Sequence, residues 1–321
     1  MRVLVTGGAG FIGSNFVRRT IQGHYPKISE LAVLDKLTYA GNIENLRSLP
    51  SDSFEFIKGD ICDQALVEPL VKRFDAVVNF AAESHVDRSI KSSTEFIHTN
   101  ILGVQVLLDV IKDSGGKRFV QISTDEVYGS VEAGSWDEQE PLKPNSPYSA
   151  SKASADLLAL AYFRTFGIDV VVTRCSNNYG PFQFPEKLIS LSITNTMENK
   201  NIQLYGNGLN VRDWLHVDDH CRGIYLALTR GISGQIYNIG GGLELTNLEI
   251  SRLILSEFDL NDSRIDFIGD RLGHDFRYSV SWEKANREIG YAPAIPFQSG
   301  LAETIDWYRR NESWWKPLKK K

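Results

Sequence analysis

The hydrophobic residues in the first half of the chain follow two alternating patterns. Short apolar runs, of which Arg2–Thr6 and Ala76–Phe80 are examples, are typical of strands buried on both faces of a sheet. Longer segments between them, such as Phe96–Lys112 and Ala150–Phe166, place apolar residues at helical spacing. The other predicted strands are Leu31–Leu34, Phe54–Lys58, Arg118–Ile122 and Asp169–Thr173, and the other predicted helices here are Ser14–Gln22 and Leu66–Lys72. This alternation predicts right-handed βαβ crossovers and a parallel sheet covered on both faces.

The pattern changes after about residue 176. Aromatic residues, prolines and Asn/Gly loops become frequent, and the helical segments Leu188–Glu198 and Leu248–Phe258 lie between loops. No internal repeat is visible, and no flexible linker separates the two parts of the sequence. We therefore predict a larger domain over residues 1–176, with a returning segment around 211–239. A smaller mixed α/β domain over 177–321 is predicted to close over it and to bind the substrate.

The composition of the 321 residues is that of an ordinary globular protein, with 42% hydrophobic and 23% charged residues. Intrinsic disorder and low-complexity structure are thereby excluded. The 35 Lys and Arg residues against 40 Asp and Glu residues give a net charge of −5, which provides no general electrostatic attraction for nucleic acid. The C-terminal run Lys319-Lys320-Lys321 is interpreted as a solvated tail.

The three cysteines, Cys62, Cys175 and Cys221, are scattered along the chain without a CxxC pair or a histidine at metal-ligand spacing. This sparse set predicts a reducing compartment and no metal site. The sequence has no run of the roughly 20 apolar residues that a membrane helix needs, and its start lacks the apolar region of a signal peptide. We therefore expect a cytoplasmic protein with neither membrane nor nucleic-acid partners.

A glycine-rich loop lies between the first predicted strand and the first predicted helix. Gly7, Gly10 and Gly13 have the spacing GxxGxxG, a variant of the dinucleotide fingerprint GxGxxG of Rossmann-type folds. Such glycines permit a tight turn and let backbone N–H groups at a helix N-terminus approach a pyrophosphate. Asp35 ends the second strand, where a carboxylate accepts hydrogen bonds from ribose hydroxyls and repels a 2′-phosphate. The sequence therefore predicts a Rossmann-type doubly wound parallel sheet that binds NAD, although the neighbouring Lys36 would tolerate NADP.

A second motif places Tyr148 and Lys152 four residues apart at the start of a predicted helix, so that both side chains share one face. A cation beside a phenol is expected to lower its pKa from the usual value of about 10 and to make a phenolate base accessible. Thr124 ends the preceding strand, and the adjacent carboxylates Asp125 and Glu126 follow it. Because ligands bind at the carboxyl ends of parallel strands in such folds, these five residues are the candidate catalytic group.

These features resemble the extended short-chain dehydrogenase/reductase superfamily, in which Ser/Thr, Tyr and Lys act beside NAD. The segments STDEVYG (residues 123–129) and NFAAESHVD (residues 79–87) narrow the resemblance to the dTDP-glucose 4,6-dehydratase family. Further segments that agree with this family are RCSNNYGP (174–181), PEKL (185–188), VRDW (211–214) and RLGHD (271–275). The resemblance covers essentially the whole chain, whereas the glycine loop and the Tyr148–Lys152 pair are shared across the superfamily.

The resemblance implies a three-step conversion of dTDP-glucose to its 4-keto-6-deoxy derivative on one retained NAD. Tyr148 would remove the proton of the 4-hydroxyl as hydride leaves C4, with Lys152 holding the phenolate and Thr124 bonding to the C4 oxygen. Glu126 would then take the C5 proton, and Asp125 would protonate the departing 6-hydroxyl, before hydride returns to C6. Two neighbouring carboxyl groups suit this step, since like charges push their pKa values apart. The sequence alone leaves open which of the two is the acid.

The resemblance also implies the binding residues. Cofactor contacts are expected from Gly7, Gly10, Phe11, Ile12, Gly13, Asp35, Lys36, Thr38, Asp60, Ile61, Ala81, Ala82, Ser84, Thr99, Tyr148, Lys152 and Asn178. Substrate contacts are expected from His85, Thr124, Asn177, Lys187, Leu188, Tyr205, Arg212, Asn247, Arg271 and His274. Among the latter, the cations would neutralise a diphosphate and Tyr205 would stack on a pyrimidine.

Three other functions compete with this interpretation. A nucleotide-sugar 4-epimerase needs Tyr148 and Lys152 but has no use for the adjacent Asp125 and Glu126, and a UDP-sugar dehydratase would differ only in the base that it recognises. A structural NAD-binding protein would keep the glycine loop but lose the catalytic residues. In relatives of this fold, the counterparts of the two longest helices pair across a two-fold axis, so the resemblance also implies a homodimer. The sequence indicates neither the base nor the downstream pathway.

Overall fold

A seven-stranded parallel sheet lies at the centre of the protein, whose computed structural model describes residues 1–320. The strands, in chain order, are β1 (Arg2–Thr6), β2 (Glu30–Asp35), β3 (Glu55–Lys58), β4 (Ala76–Asn79), β5 (Arg118–Thr124), β6 (Val170–Cys175), β7 (Asn177–Tyr179), β8 (Ile202–Tyr205), β9 (Val211–His216), β10 (Ile236–Ile239), β11 (Glu244–Thr246) and β12 (Ile265–Ile268). The large sheet has the order β10-β6-β5-β4-β1-β2-β3, with all neighbours parallel. The chain winds outward from β1 in both directions, which confirms the predicted Rossmann-type fold.

Helices cover both faces of this sheet. The helices, in chain order, are α1 (Phe11–Ile21), α2 (Gln64–Arg73), α3 (Val86–Lys91), α4 (Thr94–Ile97), α5 (Gly103–Asp113), α6 (Pro147–Phe166), α7 (Leu188–Met197), α8 (Val217–Arg230), α9 (Asn247–Ser256), α10 (Glu283–Ile289), α11 (Phe297–Arg310) and α12 (Glu312–Trp315). Leu4 packs in the core under α2, α5 and α6, whereas its neighbours Val3 and Val5 pack in the core under α1 and α8. Because successive strand residues face opposite sides, burial of both faces explains the continuous apolar runs.

The second half of the chain forms two smaller sheets and a separate core. One sheet has the order β11-β9-β7, and the other pairs β12 with β8. Their core includes residues of α7, α9 and α11. Part of the predicted returning segment joins the large sheet, since β10 pairs with β6 and α8 packs beneath it. By contrast, β9 pairs with β7 and β11, and the division of the chain at residue 176 remains a prediction.

The predicted element boundaries agree with the structure to within three residues, with two differences that matter for the site. The helix expected over Phe96–Lys112 consists of α4, a π turn at His98–Leu102, and α5. The helix expected from Ala150 begins at Pro147, because Ser146 and Ser149 form a capping box before the apolar spacing starts. Tyr148 therefore lies within the first turn of α6, which agrees with its predicted position at the start of a helix.

A buried ion pair ties α6 to the large sheet behind the carboxyl end of β5. Asp156 on α6 accepts a hydrogen bond from Nε of Arg174 on β6 at 2.9 Å and one from Oγ of Ser123 at 3.0 Å. Both charged residues are almost completely buried. Replacing only one partner of such a pair leaves the other charge buried without compensation.

Asp156→Ala is therefore expected to lower the free energy of unfolding by about 3–5 kcal/mol, measured by urea denaturation. Asp262→Ala, which breaks the exposed pair with Arg252, is the control and should change stability little. Equal effects of the two substitutions would contradict the assignment of Asp156 as a structural anchor.

Among residues 1–320, no helix combines the length and apolar character needed to cross a membrane. At the C-terminus, Nζ of Lys319 donates hydrogen bonds to Asn195 at 2.7 Å and to Glu198 at 2.9 Å. The expectation of a solvated lysine tail is therefore wrong for Lys319, because an amide and a carboxylate at the C-terminal end of α7 lie within its reach. Lys321 lies outside the described residues.

Candidate active site

The carboxyl ends of β1, β4, β5 and β6 open into one cavity with a volume of about 710 Å³. The first half of the chain supplies one side of this cavity, and segments around β7, β8 and β9 supply the other. Every residue predicted for catalysis, cofactor binding or substrate binding lines it. The structure thus brings the predicted residues together, while the role of each stays a prediction.

The glycine loop after β1 is shaped to receive an anion. Gly7 has a φ of +67°, and a Cβ there would lie 2.5 Å from the backbone nitrogen of Ala81. A Cβ on Gly13 would lie 2.4 Å from the carbonyl oxygen of Gly7, so α1 can approach the loop only without a side chain. Helix α1 begins at Phe11 with neither a side-chain cap nor an acidic residue in its first turn. Its free N–H groups therefore suit a pyrophosphate.

The end of β2 suits a ribose without a 2′-phosphate. The Asp35 carboxylate accepts hydrogen bonds from the backbone N–H groups of Ala9 and Leu37, both at 2.8 Å, and keeps lone pairs for ribose hydroxyls. Lys36, which could have favoured NADP, has its Nζ 2.8 Å from Oδ2 of Asp60. Because Asp60 neutralises this cation, the pocket fits NAD.

The π turn fixes the loop that follows β4. Nδ2 of the buried Asn100 donates hydrogen bonds to the carbonyl of Glu83 at 3.0 Å and to Oγ of Ser151 at 2.8 Å, while its Oδ1 accepts from the Glu83 N–H at 2.9 Å. This side chain joins the loop that carries Ala81 and Ala82 to α6. The same turn places Thr99 on the cavity surface, consistent with the occurrence of π turns at functional sites.

Tyr148 and Lys152 lie on the cavity wall at the start of α6. The Tyr148 ring packs edge-on against Phe96, and Nζ of Lys152 donates a hydrogen bond to the carbonyl of Ile122 at 2.5 Å. Burial, followed by the charge of Glu126, raises the pKa of Tyr148 well above its ordinary value. Burial lowers the pKa of Lys152. The predicted fall in the Tyr148 pKa is therefore wrong for the protein alone, because desolvation outweighs the lysine charge.

Asp125 lies at the carboxyl end of β5, in surroundings that favour its protonated form. Burial raises its pKa well above the ordinary value, and the nearby carboxylates of Glu126 and Asp213 raise it further. Oγ1 of Thr124 donates a hydrogen bond to Oδ1 of Asp125 at 3.2 Å. Among the described residues no group hydrogen-bonds Oδ2, so this oxygen can carry a proton to a ligand.

Glu126 occupies a more cationic environment than Asp125. Burial raises its pKa, but the charges of Lys187, Arg271 and Arg212 act in the opposite direction. Three cations thus favour the ionised form of Glu126, whereas the neighbours of Asp125 are mainly carboxylates. The pair can therefore supply one proton donor and one base.

The three predicted diphosphate-binding cations are held by backbone carbonyls or carboxylates. Nζ of Lys187 donates to the carbonyl of Ser84 at 3.0 Å, and Nε of Arg271 lies 3.8 Å from Oδ1 of Asp87. The guanidinium of Arg212 donates to the carbonyls of Val211, Asp275 and Phe276, which fix its position. These contacts orient the cations without neutralising Lys187 or Arg212.

Two cavity residues with specific contacts were not predicted from the sequence. Oδ2 of Asp87 accepts a hydrogen bond from Tyr205 at 3.2 Å, and Oε1 of Glu186 accepts one from Tyr39 at 3.1 Å. Both carboxylates lie inside segments already singled out by the resemblance, but nothing in their spacing indicated a function. Their partners are remote in sequence, and only the fold brings them together.

One group of side chains near the cofactor side has ligand atoms within 4.8 Å of one another, namely Asp60, Cys62 and His98. Sequence spacing gave no indication of it, because His98 belongs to the π turn. Asp60 is already paired with Lys36, and burial raises the pKa of Cys62 to about 12. Sγ of Cys62 lies 3.4 Å from Nδ1 of His98, and Oδ1 of Asp60 accepts the backbone N–H of Cys62 at 3.0 Å, so the three residues form a hydrogen-bonded cluster.

Comparison with known proteins identifies the family. The model of the family described as GDP-mannose 4,6 dehydratase matches residues 4–304. A dTDP-glucose 4,6-dehydratase of Streptomyces niveus is 55% identical over 99% of this chain and 96% of its own. The crystal structure of a double mutant of DesIV, the dTDP-glucose 4,6-dehydratase of Streptomyces venezuelae, has NAD and a second ligand bound. It superposes with a TM-score of 0.98 at 54% identity, over 99% of this chain and 100% of that one.

Together, the fold, the cofactor-shaped loop and the catalytic group define a sugar-nucleotide enzyme of the epimerase/dehydratase branch of the short-chain dehydrogenase/reductases. A homologue from Bacillus anthracis, solved in complex with NAD, has a TM-score of 0.92 at 48% identity and covers 99% of each chain. The chain belongs to the dTDP-glucose 4,6-dehydratase family, a group of NAD-dependent hydro-lyases. The predicted family is thereby confirmed.

Proposed function

We propose that this protein converts dTDP-D-glucose to dTDP-4-keto-6-deoxy-D-glucose and water on a retained NAD. The observation that carries this proposal is the position of Asp125 and Glu126, which follow β5 and line the same cavity as Tyr148. An epimerase needs only Tyr148 and Lys152, whereas elimination of water needs a further acid and a further base. The names of the close relatives support the same activity.

The first task of the protein is to oxidise C4, because the C5 proton becomes acidic only beside a ketone. Bound NAD supplies the hydride acceptor and later the hydride donor. Tyr148 takes the proton of the 4-hydroxyl, and Oγ1 of Thr124 holds the C4 oxygen. Lys152, one turn further along α6, favours the phenolate by its charge.

The second task is to remove water from C5 and C6. Glu126, whose ionised form is favoured by cations, takes the proton from C5. Asp125, whose protonated form is favoured by burial and by neighbouring carboxylates, donates to the oxygen that leaves C6, so the C5–H and C6–O bonds break as the C5–C6 double bond forms. Glu126 then returns a proton to C5 and a hydride returns to C6. The proton that Tyr148 took from the 4-hydroxyl is released to solvent and Asp125 takes one up from solvent, so that all three groups regain their starting protonation.

Mass spectrometry of dTDP-glucose incubated with the purified protein in D2O, without added NAD, tests this function. The expected product has lost one water and gained one deuterium at C5. An unchanged mass with a new stereoisomer at C4 would instead show epimerisation and contradict the roles of Asp125 and Glu126. A parallel incubation with UDP-glucose determines which base the enzyme accepts, since the thymine methyl group offers little discrimination in binding.

We also propose that the protein is a homodimer. Large apolar side chains are exposed on the surface that α6 forms with α4 and the π turn, among them Leu157 at 57%, Ile97 at 53% and Leu102 at 42% exposed. Helix α6 packs directly against this turn and α5. A second copy of this chain would cover the surface by pairing the same helices around a two-fold axis.

Leu157→Glu is expected to convert the dimer to a monomer, because it places a charge in the centre of the proposed interface. Phe267→Glu is the matched control, since Phe267 is also 56% exposed but lies on β12, which pairs with β8 outside the large sheet. Sedimentation equilibrium or light scattering measures the mass of each variant. A wild-type monomer, or dissociation by both substitutions, would refute this interface.

We further propose a cytoplasmic location. Cys62, Cys175 and Cys221 are all free thiols in the structure, and two of them are buried. Unpaired cysteines of this kind are typical of a reducing compartment. Fractionation of cells that express the protein tests this proposal, and recovery from an oxidising compartment would contradict it.

A further inference from the structure

Glu186 and Lys187 contact two adjacent residues on the opposite side of the cavity. Oε2 of Glu186 lies 3.5 Å from Nε2 of His85, and Nζ of Lys187 donates a hydrogen bond to the carbonyl of Ser84 at 3.0 Å. All four residues line the cavity. Their contacts join the loop after β4, which belongs to the cofactor side, to the segment that leads into α7 on the sugar-nucleotide side.

The other oxygen of Glu186 contacts the loop after β2. Oε1 accepts a hydrogen bond from the hydroxyl of Tyr39 at 3.1 Å. Thr38 and Ala40 line the cavity, whereas Tyr39 between them is held by Glu186. We call residues 38–41 the cofactor loop, because they follow the predicted ribose-binding carboxylate directly. A single carboxylate therefore connects the cofactor loop, the loop after β4 and the sugar-nucleotide side.

The hydrogen-bonding pattern fixes the orientation of the groups around Glu186. Nδ1 of His85 accepts the backbone N–H of Arg88 at 3.4 Å, so in the neutral ring the proton is on Nε2 and faces Glu186. Burial lowers the pKa of His85 to about 4, which keeps the ring neutral. The Arg88 guanidinium lies over the Tyr39 ring, 3.7 Å from its centroid. Tyr39, His85, Arg88 and Glu186 thus form one interlocked group, the Glu186 cluster.

Two residues near the Glu186 cluster, one on each side of the cavity, have strained backbone conformations. Leu37, two residues before Tyr39, has a φ of +58°, and Phe182, four residues before Glu186, has a φ of +67°. Bulky residues rarely adopt such angles, and they persist only where surrounding contacts impose them. The ring of Phe182 is held 3.9 Å below the guanidinium of Arg18 and 4.5 Å from the Trp307 ring. These contacts hold the segment before Glu186 in position, as is common in ligand clamps.

We propose that Glu186 is a positioning residue that couples the two ligands, holding the cofactor loop closed while the sugar-nucleotide side is occupied. The inference rests on the proposed function, in which hydride taken from C4 must return to C6 of the same molecule. A cofactor that left between these two steps would leave an oxidised sugar that the enzyme cannot complete. The cluster meets this need, because the cofactor loop cannot open without breaking the contact between Tyr39 and Glu186.

The test measures the rate at which NAD leaves the holoenzyme when it is chased with excess isotopically labelled NAD, with and without dTDP. In the wild type, dTDP is expected to slow the release of NAD. Tyr39→Phe removes only the hydroxyl that contacts Glu186, and should speed release in the presence of dTDP by about tenfold. In Tyr39→Phe, dTDP should therefore slow the release of NAD much less than it does in the wild type. Glu186→Gln, which alters the contact with His85 as well, should act in the same direction.

Tyr237→Phe is the matched control, because the Tyr237 hydroxyl donates to Glu288 at the same distance of 3.1 Å, on the outer strand β10. Its rates of NAD release should equal those of the wild type. The coupling is refuted if dTDP slows release equally in wild type and Tyr39→Phe, or if Tyr237→Phe reproduces the effect. A wild type that retains NAD under dTDP but does not dehydrate dTDP-glucose would disprove the proposed function and leave the coupling intact.

Discussion

Replacing Tyr148 by Phe is expected to lower turnover by about 10²–10⁴-fold and to prevent any ketone from forming at C4. The substitution keeps the ring that packs against Phe96 and removes only the group that takes the 4-hydroxyl proton. Since every later step depends on a ketone at C4, the whole reaction should stop with the sugar unchanged. Rapid quenching into borodeuteride, followed by mass spectrometry, would label C4 of any ketone and thereby measure the first step directly.

The control for this experiment is a tyrosine whose hydroxyl is not expected to affect turnover. Tyr225 packs on Tyr25 beneath the opposite face of the sheet and makes only a long hydrogen bond, at 3.4 Å, to a backbone N–H. Tyr225→Phe should therefore retain full turnover. If Tyr148→Phe still incorporated deuterium at C4 at the wild-type rate, another residue would have to be the base of the first step.

Glu126→Gln and Asp125→Asn are expected to stop the reaction one step later and in different ways. Both variants should still oxidise C4, while their overall turnover falls by about 10²–10⁴-fold. Glu126→Gln lacks the base, so the C5 proton should not exchange with D2O. Asp125→Asn keeps this base but lacks the acid, so C5 should exchange while water stays on C6. Measuring deuterium at C5 and the mass of the sugar separates the two.

These expectations follow from the surroundings of each carboxyl group. Burial and the neighbouring carboxylates raise the pKa of Asp125 well above its usual value, which favours the protonated form that can act as the acid. The cations Lys187, Arg271 and Arg212 limit the rise for Glu126. The reverse pattern, with deuterium exchange at C5 in Glu126→Gln and none in Asp125→Asn, would show that Asp125 is the base and Glu126 the acid.

Much of the site could be predicted because its residues lie in short segments tied to the ends of strands. Gly7 follows β1, Asp35 ends β2 and Thr124 ends β5, and all three reach the same cavity because the strands are parallel. The strand order of a doubly wound sheet then brings these strand ends to one ligand-binding crevice. A local pattern is sufficient wherever the fold itself brings the segments together.

Contacts between remote side chains could not be predicted in this way. The hydrogen bond from Tyr39 to Glu186 joins residues 147 positions apart, and no periodicity relates them. The electrostatics of Tyr148 also differed from expectation, since spacing revealed the nearby lysine but not the depth of burial. Likewise, the π turn at His98–Leu102 leaves the helical spacing of apolar residues almost unchanged, so a single helix was expected.

The position of β10 has a consequence for how the chain can fold during synthesis. Strand β6 pairs with β5 on one side and with β10 on the other, yet β10 is made only after the chain has passed through β7, α7, β8 and β9. Until β10 has been synthesised, the nascent chain exposes the unpaired edge of β6. Such an edge can pair with strands of other chains. A fragment ending before β10 should therefore aggregate. For the same reason, dividing the chain at residue 176 should not give two fragments that fold independently.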